Sequence, residues 1–150
     1  MSAFKSHYVG IPWRDCGRTA DGADCWGLAR LIYLGEAGIV LPEHAEISSK
    51  NLREISRTID TEAGGETWRR IPHGGVLRVL DLVVMTAPGH RTPIHVGVYG
   101  VLGGRGQVLH TEIETDAAWT RFDHPSLAGR VLGFWRHRLL DATAMREIAA

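Results

Sequence analysis

Two cysteines and eight histidines carry most of the reactive side-chain chemistry in this 150-residue chain. Cys25 stands in DGADCWGLAR, residues 21–30, where a polar loop gives way to a helical pattern. Asp21 or Asp24 can cap that helix, and Trp26, Leu28, Ala29, Leu31 and Ile32 recur with helical spacing on a mostly apolar face. A thiol in the first turn of a helix gains anion stabilisation from unpaired backbone N–H groups and from the positive end of the dipole. Asp24 opposes that gain, so a thiolate here requires a cationic partner, normally an imidazolium. His95 opens IHVGVY and His110 closes GQVLH, on either side of the turn LGGRG. Pairing of these segments as a hairpin would bring both imidazoles onto one sheet, side by side in a register that gives His95, Gly97 and Tyr99 the face of Val108 and His110. A Cys, a His and a third polar group that orients the His make the cysteine form of the nucleophile triad.

Other chemistry fits these residues less well. Cys25, His95 and His110 could be three ligands of a zinc site with an open position, but HExxH and CxxC are both missing, so no metal is expected. LGGRG lacks the P-loop Lys-Ser/Thr and the Rossmann spacing, and a hairpin turn explains it. Cys16, in the polar turn WRDCGRT, has no helix start beside it and reads as a structural thiol. His7, His44, His73, His90, His124 and His137 fall in loops, turns or ill-defined positions and read as structural or surface residues.

The elements that must position the triad candidates follow from periodicity. A helix is expected from Cys25 to Gly35 or Gly38, then a connector LPEHAE, then a surface helix in SSKNLREISRTIDTEAGG with serine caps and Leu52, Ile55 and Ile59 at helical spacing. From Val76 the period changes. VLRVLDLVVM, IHVGVYGV, GQVLHTEI and RVLGFWRH read as strands of an antiparallel meander. Helices first and strands after them predict an α+β domain over residues 1–150, with the cysteine helix on one face of the sheet. The tail DATAMREIAA is expected to form a short helix or to fray, and Trp119, Phe122, Phe134 and Trp135 to pack in the core or form a docking patch.

Seventeen basic and seventeen acidic residues cancel and are scattered, so nucleic acid is not an expected partner. MSAFKSHYVG has no apolar stretch of signal-peptide length, and LARLIYLGEAGIVL is broken by Arg30 and Glu36. The expectation is a soluble chain made in the cytoplasm, with no transmembrane segment and no cofactor.

GIPWRDCGRTADGADCWGLARLIY, LDLVVM, IHVGVY and VLHTE, in that order and spacing, resemble the NlpC-type cell-wall cysteine peptidases over most of residues 8–112. The resemblance implies a papain-like cysteine peptidase fold, with Cys25 as nucleophile, His95 as general base and His110 as the residue that orients it. It implies hydrolysis of peptide bonds in peptidoglycan stems or cross-links. Asp24 resembles the residue that receives the free amine of the stem peptide, with helix capping as its plainer role. Trp13 stands where the family has Tyr and could lend its indole N–H as an oxyanion donor beside the Cys25 N–H. Trp26 stands where the family has Ser, and either narrows the pocket or packs on the sheet. Leu80 replaces the usual Gly before Asp81. The Cys-Trp-Gly form resembles the branch found in phage tails and gene transfer agents, which implies tail hub or tail-tip partners and action in the periplasm or wall. On the same fold, the alternative is a weak or inactive structural tail-tip protein.

Overall fold

The computed structural model describes residues 6–141, so the tail expected to form a helix or fray lies, beyond Asp141, outside the described residues. Helix α1 spans Cys25–Ala37. Asp24 sets its start: the backbone there is extended, and the carboxylate accepts from the Gly27 N–H at 2.8 Å. Leu28, Ala29, Ile32 and Tyr33 are buried on one side of the helix, the stripe its spacing predicts. The helix stops at Gly38, whose N–H returns to the Leu34 carbonyl at 3.1 Å.

Helix α2 spans Leu52–Ala63. Its expected serine caps have other partners: the Ser48 hydroxyl and the Ser49 N–H both donate to the Asp15 carboxylate at 2.7 Å. Asn51 is the cap, accepting from the Glu54 N–H at 3.2 Å while its own amide donates back to the Glu54 carboxylate at 3.0 Å. This reciprocal pair works as a capping box does. No residue of α2 is fully buried, because its apolar side faces a cleft.

Two short strands, β1 (Arg18–Thr19) and β2 (Gly22–Ala23), close the loop before α1. Six strands form the main sheet: β3 (Trp68–Arg70), β4 (Leu82–Thr86), β5 (Pro93–Leu102), β6 (Arg105–His110), β7 (Ala118–Arg121) and β8 (Val131–His137). They pair antiparallel in the order β3-β8-β4-β5-β6-β7. The expected meander therefore holds only from β4 to β7, and β8 returns to lie between β3 and β4. All five residues of β4 are buried, and a buried strand needs backbone partners on both edges. Leu82 and Val84 face the main core with α1, while Val83 and Met85 face a second core with Val108 and Leu127. Phe122 and Phe134 pack on that second core, and Trp119 and Trp135 on the first, which is the core role rather than a docking patch. Gly103 and Gly104, at φ 62° and 77°, make the two-residue turn between Leu102 and Arg105, as LGGRG predicts.

The strand expected from Val76 begins only at Leu82. Leu80 lies in the left-handed region at φ 82° and breaks the extended run. That conformation costs a non-glycine residue roughly 1–2 kcal/mol, which explains why Gly is usual at this place in the family the sequence resembles. Burying a leucine side chain is worth roughly 1.5–3 kcal/mol, and Leu80 is part of the main core. Burial outweighs the strain, and the Tyr33 hydroxyl, donating to the Leu80 carbonyl, holds the turn. No described helix is long and apolar enough to cross a membrane.

Candidate active site

The start of α1 and the start of β5 meet at one cleft of about 390 Å³, lined by both Cys25 and His95. The backbone N–H groups of Trp26 and Val96 favour the Cys25 anion, and Val96 is the residue after His95. Val98 pairs with Leu109 in the β5–β6 ladder, a register that brings the two imidazoles together. His95 Nε2 lies 2.8 Å from His110 Nδ1, and His110 Nε2 lies 3.0 Å from the Thr120 hydroxyl on β7. Both rings are buried. Gly97 makes the approach possible, since a Cβ there would lie 2.4 Å from Val108 Cγ2 and 2.9 Å from His110 Cβ.

The contacts fit donation in either direction along His95, His110 and Thr120. In one of the two, His95 donates from Nε2–H to His110 Nδ1 and His110 donates from Nε2–H to Thr120 Oγ1, which leaves His95 Nδ1 able to act as a base. Burial and then Asp24 push the Cys25 thiol up to about 12, against the Trp26 and Val96 N–H groups and Arg18. Burial, with His110 and Arg130, holds His95 well below the ordinary histidine value. Burial also lowers His110, with Glu112 opposing and Arg130 adding to it. Both shifts favour a neutral thiol and a neutral imidazole over the thiolate–imidazolium pair expected from the helix start. Desolvation outweighs the helix-terminus effect here.

The reading of the sequence missed the groups around the two histidines. Glu112 Oε1 lies 3.8 Å from His95 Nε2. Arg130, buried, ion-pairs with Glu112 and donates to the carbonyls of Thr86 at 2.9 Å and Ser126 at 3.0 Å. Glu112 sits two residues beyond His110 and was within reach of a local reading, whereas Arg130 carries no local signal. His95, His110 and Glu112 have donor atoms within 4.8 Å of one another, a different trio from the Cys25, His95 and His110 weighed for zinc. Their donors already bind each other or Arg130, which suits a hydrogen-bonded relay.

Residues 10–136 match the NlpC/P60 family. The chain belongs to that family. No curated protein matches it significantly. Its fold is similar to an NLP/P60-family protein described as similar to lipoprotein, from Staphylococcus aureus, with a TM-score of 0.58 and 19% identity over 88% of this chain. The chain spans 38% of the length of that protein. The NlpC/p60 domain of peptidoglycan hydrolase SagA aligns with a TM-score of 0.52 and 22% identity, over 85% of this chain and 87% of that domain. The α+β architecture, with helices packed on an antiparallel sheet, is the papain-like fold of these NlpC/P60 structures.

Within this NlpC/P60 chain, Trp13, Asp24 and Trp26 all line the cleft. Asp24 has both oxygens engaged: Oδ1 accepts from Gly27 N–H and from Arg18 at 2.7 Å, and Oδ2 from Cys16 N–H at 3.1 Å. Arg18 in turn binds the carbonyls of Glu43 and His44. Trp26 donates its indole N–H to the Pro42 carbonyl at 2.7 Å and packs against His44. The connector expected as a plain link is thus a wall of the cleft, pinned from below. Trp13 bridges to Ala23 at the loop before α1. Cys16 is not among the lining residues; its thiol faces the Ile47 carbonyl at 3.5 Å and is raised, mainly by burial.

Proposed function

We propose that this NlpC/P60 chain is a cysteine endopeptidase that hydrolyses peptide bonds of bacterial peptidoglycan. The observation that carries the reading is the placement of Cys25 and His95 on one cleft, with the His95 ring held from behind by His110. Cys25 Sγ attacks the carbonyl carbon as its proton passes to His95 Nδ1, and the resulting imidazolium is steadied by His110. The Cys25 N–H, an unpaired donor at the helix start, meets the oxyanion, with the Trp13 indole as the second donor. The protonated ring gives its proton to the leaving amine, and water then cleaves the thioester with His95 again as base. Asp24 holds the cleft wall through Arg18, and a stem-peptide amine reaching it would share its carboxylate with those donors.

Incubation of wild-type and Cys25→Ala protein with purified peptidoglycan tests the reading, with new amino termini read by mass spectrometry. Release by wild type alone is expected. Equal release from both, or none from either across a range of walls, overturns it in favour of an inactive structural protein, a reading that the raised Cys25 thiol favours.

The setting we infer is a phage-like tail, with tail hub or tail-tip proteins as partners and the periplasm or wall as the place of action. Its support is the Cys25-Trp26-Gly27 form. Proteomics of assembled particles would find the chain beside tail proteins, and its absence there would remove this setting while leaving the chemistry.

A further inference from the structure

A proton that passes from Cys25 to His95 leaves a cation where burial opposes charge. His110 can hold that ring, but an imidazole is no anion. Several charged groups share the cleft with His95. Asp24, beside Cys25 at the start of α1, is bound to Arg18. Glu62 of α2 lies 3.5 Å from His44 and also acts on His137. From β7 comes the uncharged Thr120 hydroxyl, and from β4 the apolar Met85, paired with His95. The remaining two are Glu112, which follows β6, and Arg130, which precedes β8. Their opposed action is visible at His110, which Glu112 raises and Arg130 lowers.

The end of β4 fixes these two charges. Its ladder slips by one residue on both edges, from His95 to Pro93 on β5 and from Gly133 to Val131 on β8, and such slips re-aim the side chains beside them. Thr86 and Arg130 then bind each other twice: the Thr86 N–H donates to the Arg130 carbonyl at 2.8 Å, and Arg130 Nε donates to the Thr86 carbonyl at 2.9 Å. Arg130 Nη1 reaches the Ser126 carbonyl at 3.0 Å, and Nη2 holds Glu112. A fixed, buried cation thus sets where the carboxylate stands, with Oε1 3.8 Å from His95 Nε2. That separation is too long for a hydrogen bond and short enough for an attraction that appears when the ring gains a proton. We propose that Glu112 is a positioning residue for the peptidase reaction: held by Arg130, it supplies the negative charge that faces the His95 imidazolium. The inference rests on the peptidase reading and adds to its machinery a residue outside Cys25, His95 and His110.

NMR titration of the full-length Cys25→Ala protein with labelled histidines tests this without turnover. On that background, Glu112→Gln should lower the midpoint at which the His95–His110 pair takes up a proton by about one pH unit, and Glu112→Asp should keep most of the background value. Gln retains the volume and an oxygen for Arg130 but not the charge, so a merely structural role would leave the midpoint in place. Adding Arg130→Gln to Glu112→Gln should bring the midpoint back toward the background, because both opposed charges are then gone. Should that double variant fail to fold, the Gln and Asp variants decide by themselves. An unchanged or raised midpoint in Glu112→Gln, a folded double variant as low as the single one, or a pair that takes up no proton before acid unfolding of the background protein would overturn the proposal. With Cys25 intact, Glu112→Gln should lose about ten-fold in kcat with KM within about two-fold. Hydrolysis by wild type without the midpoint shift condemns the role of Glu112 alone. The midpoint shift without any hydrolysis by wild type condemns the peptidase reading alone.

Discussion

Cys25 is held between influences that only partly cancel. Neighbouring N–H groups and Arg18 favour its anion, burial and Asp24 favour the thiol, and the thiol prevails. Because burial holds His95 low as well, the proposed mechanism moves the proton only as attack begins. Alkylation of Cys25 by iodoacetamide should therefore climb continuously from about pH 6 to about pH 10, as read by intact mass. A plateau near neutrality would mean that the pair rests ionised. Cys25, His95 and His110 could be picked out in the sequence as candidates because a capped helix start and the alternation of two strands are local patterns. Glu112 and Arg130 were not recognised: their partnership spans 18 residues and leaves no periodic trace. His44 was read as a surface or structural residue, and its 3.5 Å approach to Glu62 depends on the next helix.

Strand β8 shows what holds the sheet to the loop before β4. Arg136 on β8 makes two bonds of 2.7 Å to the carboxylate of Asp81, which is fully buried. Arg136→Met would leave that carboxylate buried without its partner, a loss of about 3–5 kcal/mol expected in urea denaturation. Adding Asp81→Asn should restore most of it, because the uncompensated charge rather than the missing bond carries the cost. A double variant as unstable as the single one would contradict that account. The location of β8 could not be read from its own residues, since several apolar strands could have filled the place beside β4. Strands β3 and β7, of three and four residues, are too short to show a period. Gly97 looks like any strand glycine until Val108 Cγ2 and His110 Cβ are placed against it.

Three histidines link the stability of the whole chain to pH. His95, His110 and His137 all lie below the ordinary value of 6.5, burial being the first cause in each. The unfolded chain binds protons there that the folded chain refuses, so their stabilising contribution is present above about pH 6.5 and lost as pH falls toward the folded values. Each proton so refused is worth about 1.4 kcal/mol per pH unit. Cys25 acts in the opposite sense: its contribution is present below its ordinary value of 9.0 and lost as pH rises toward about 12. Scanning calorimetry should find the melting temperature highest between about pH 6.5 and about pH 9, and a His95→Gln, His110→Gln variant should flatten the acid side. A melting temperature that rises on acidification would contradict the sign. The sequence alone determined the capped cysteine helix, the apolar strands and the glycine hairpin, because each depends on neighbours a few residues apart. Tertiary structure decided where β8 inserts, how Glu112 meets Arg130 and Glu62 meets His44, and that burial pushes the Cys25 thiol up and His95 down. Those outcomes depend on distant residues brought together and on the water their burial removes, neither of which any short stretch of sequence contains.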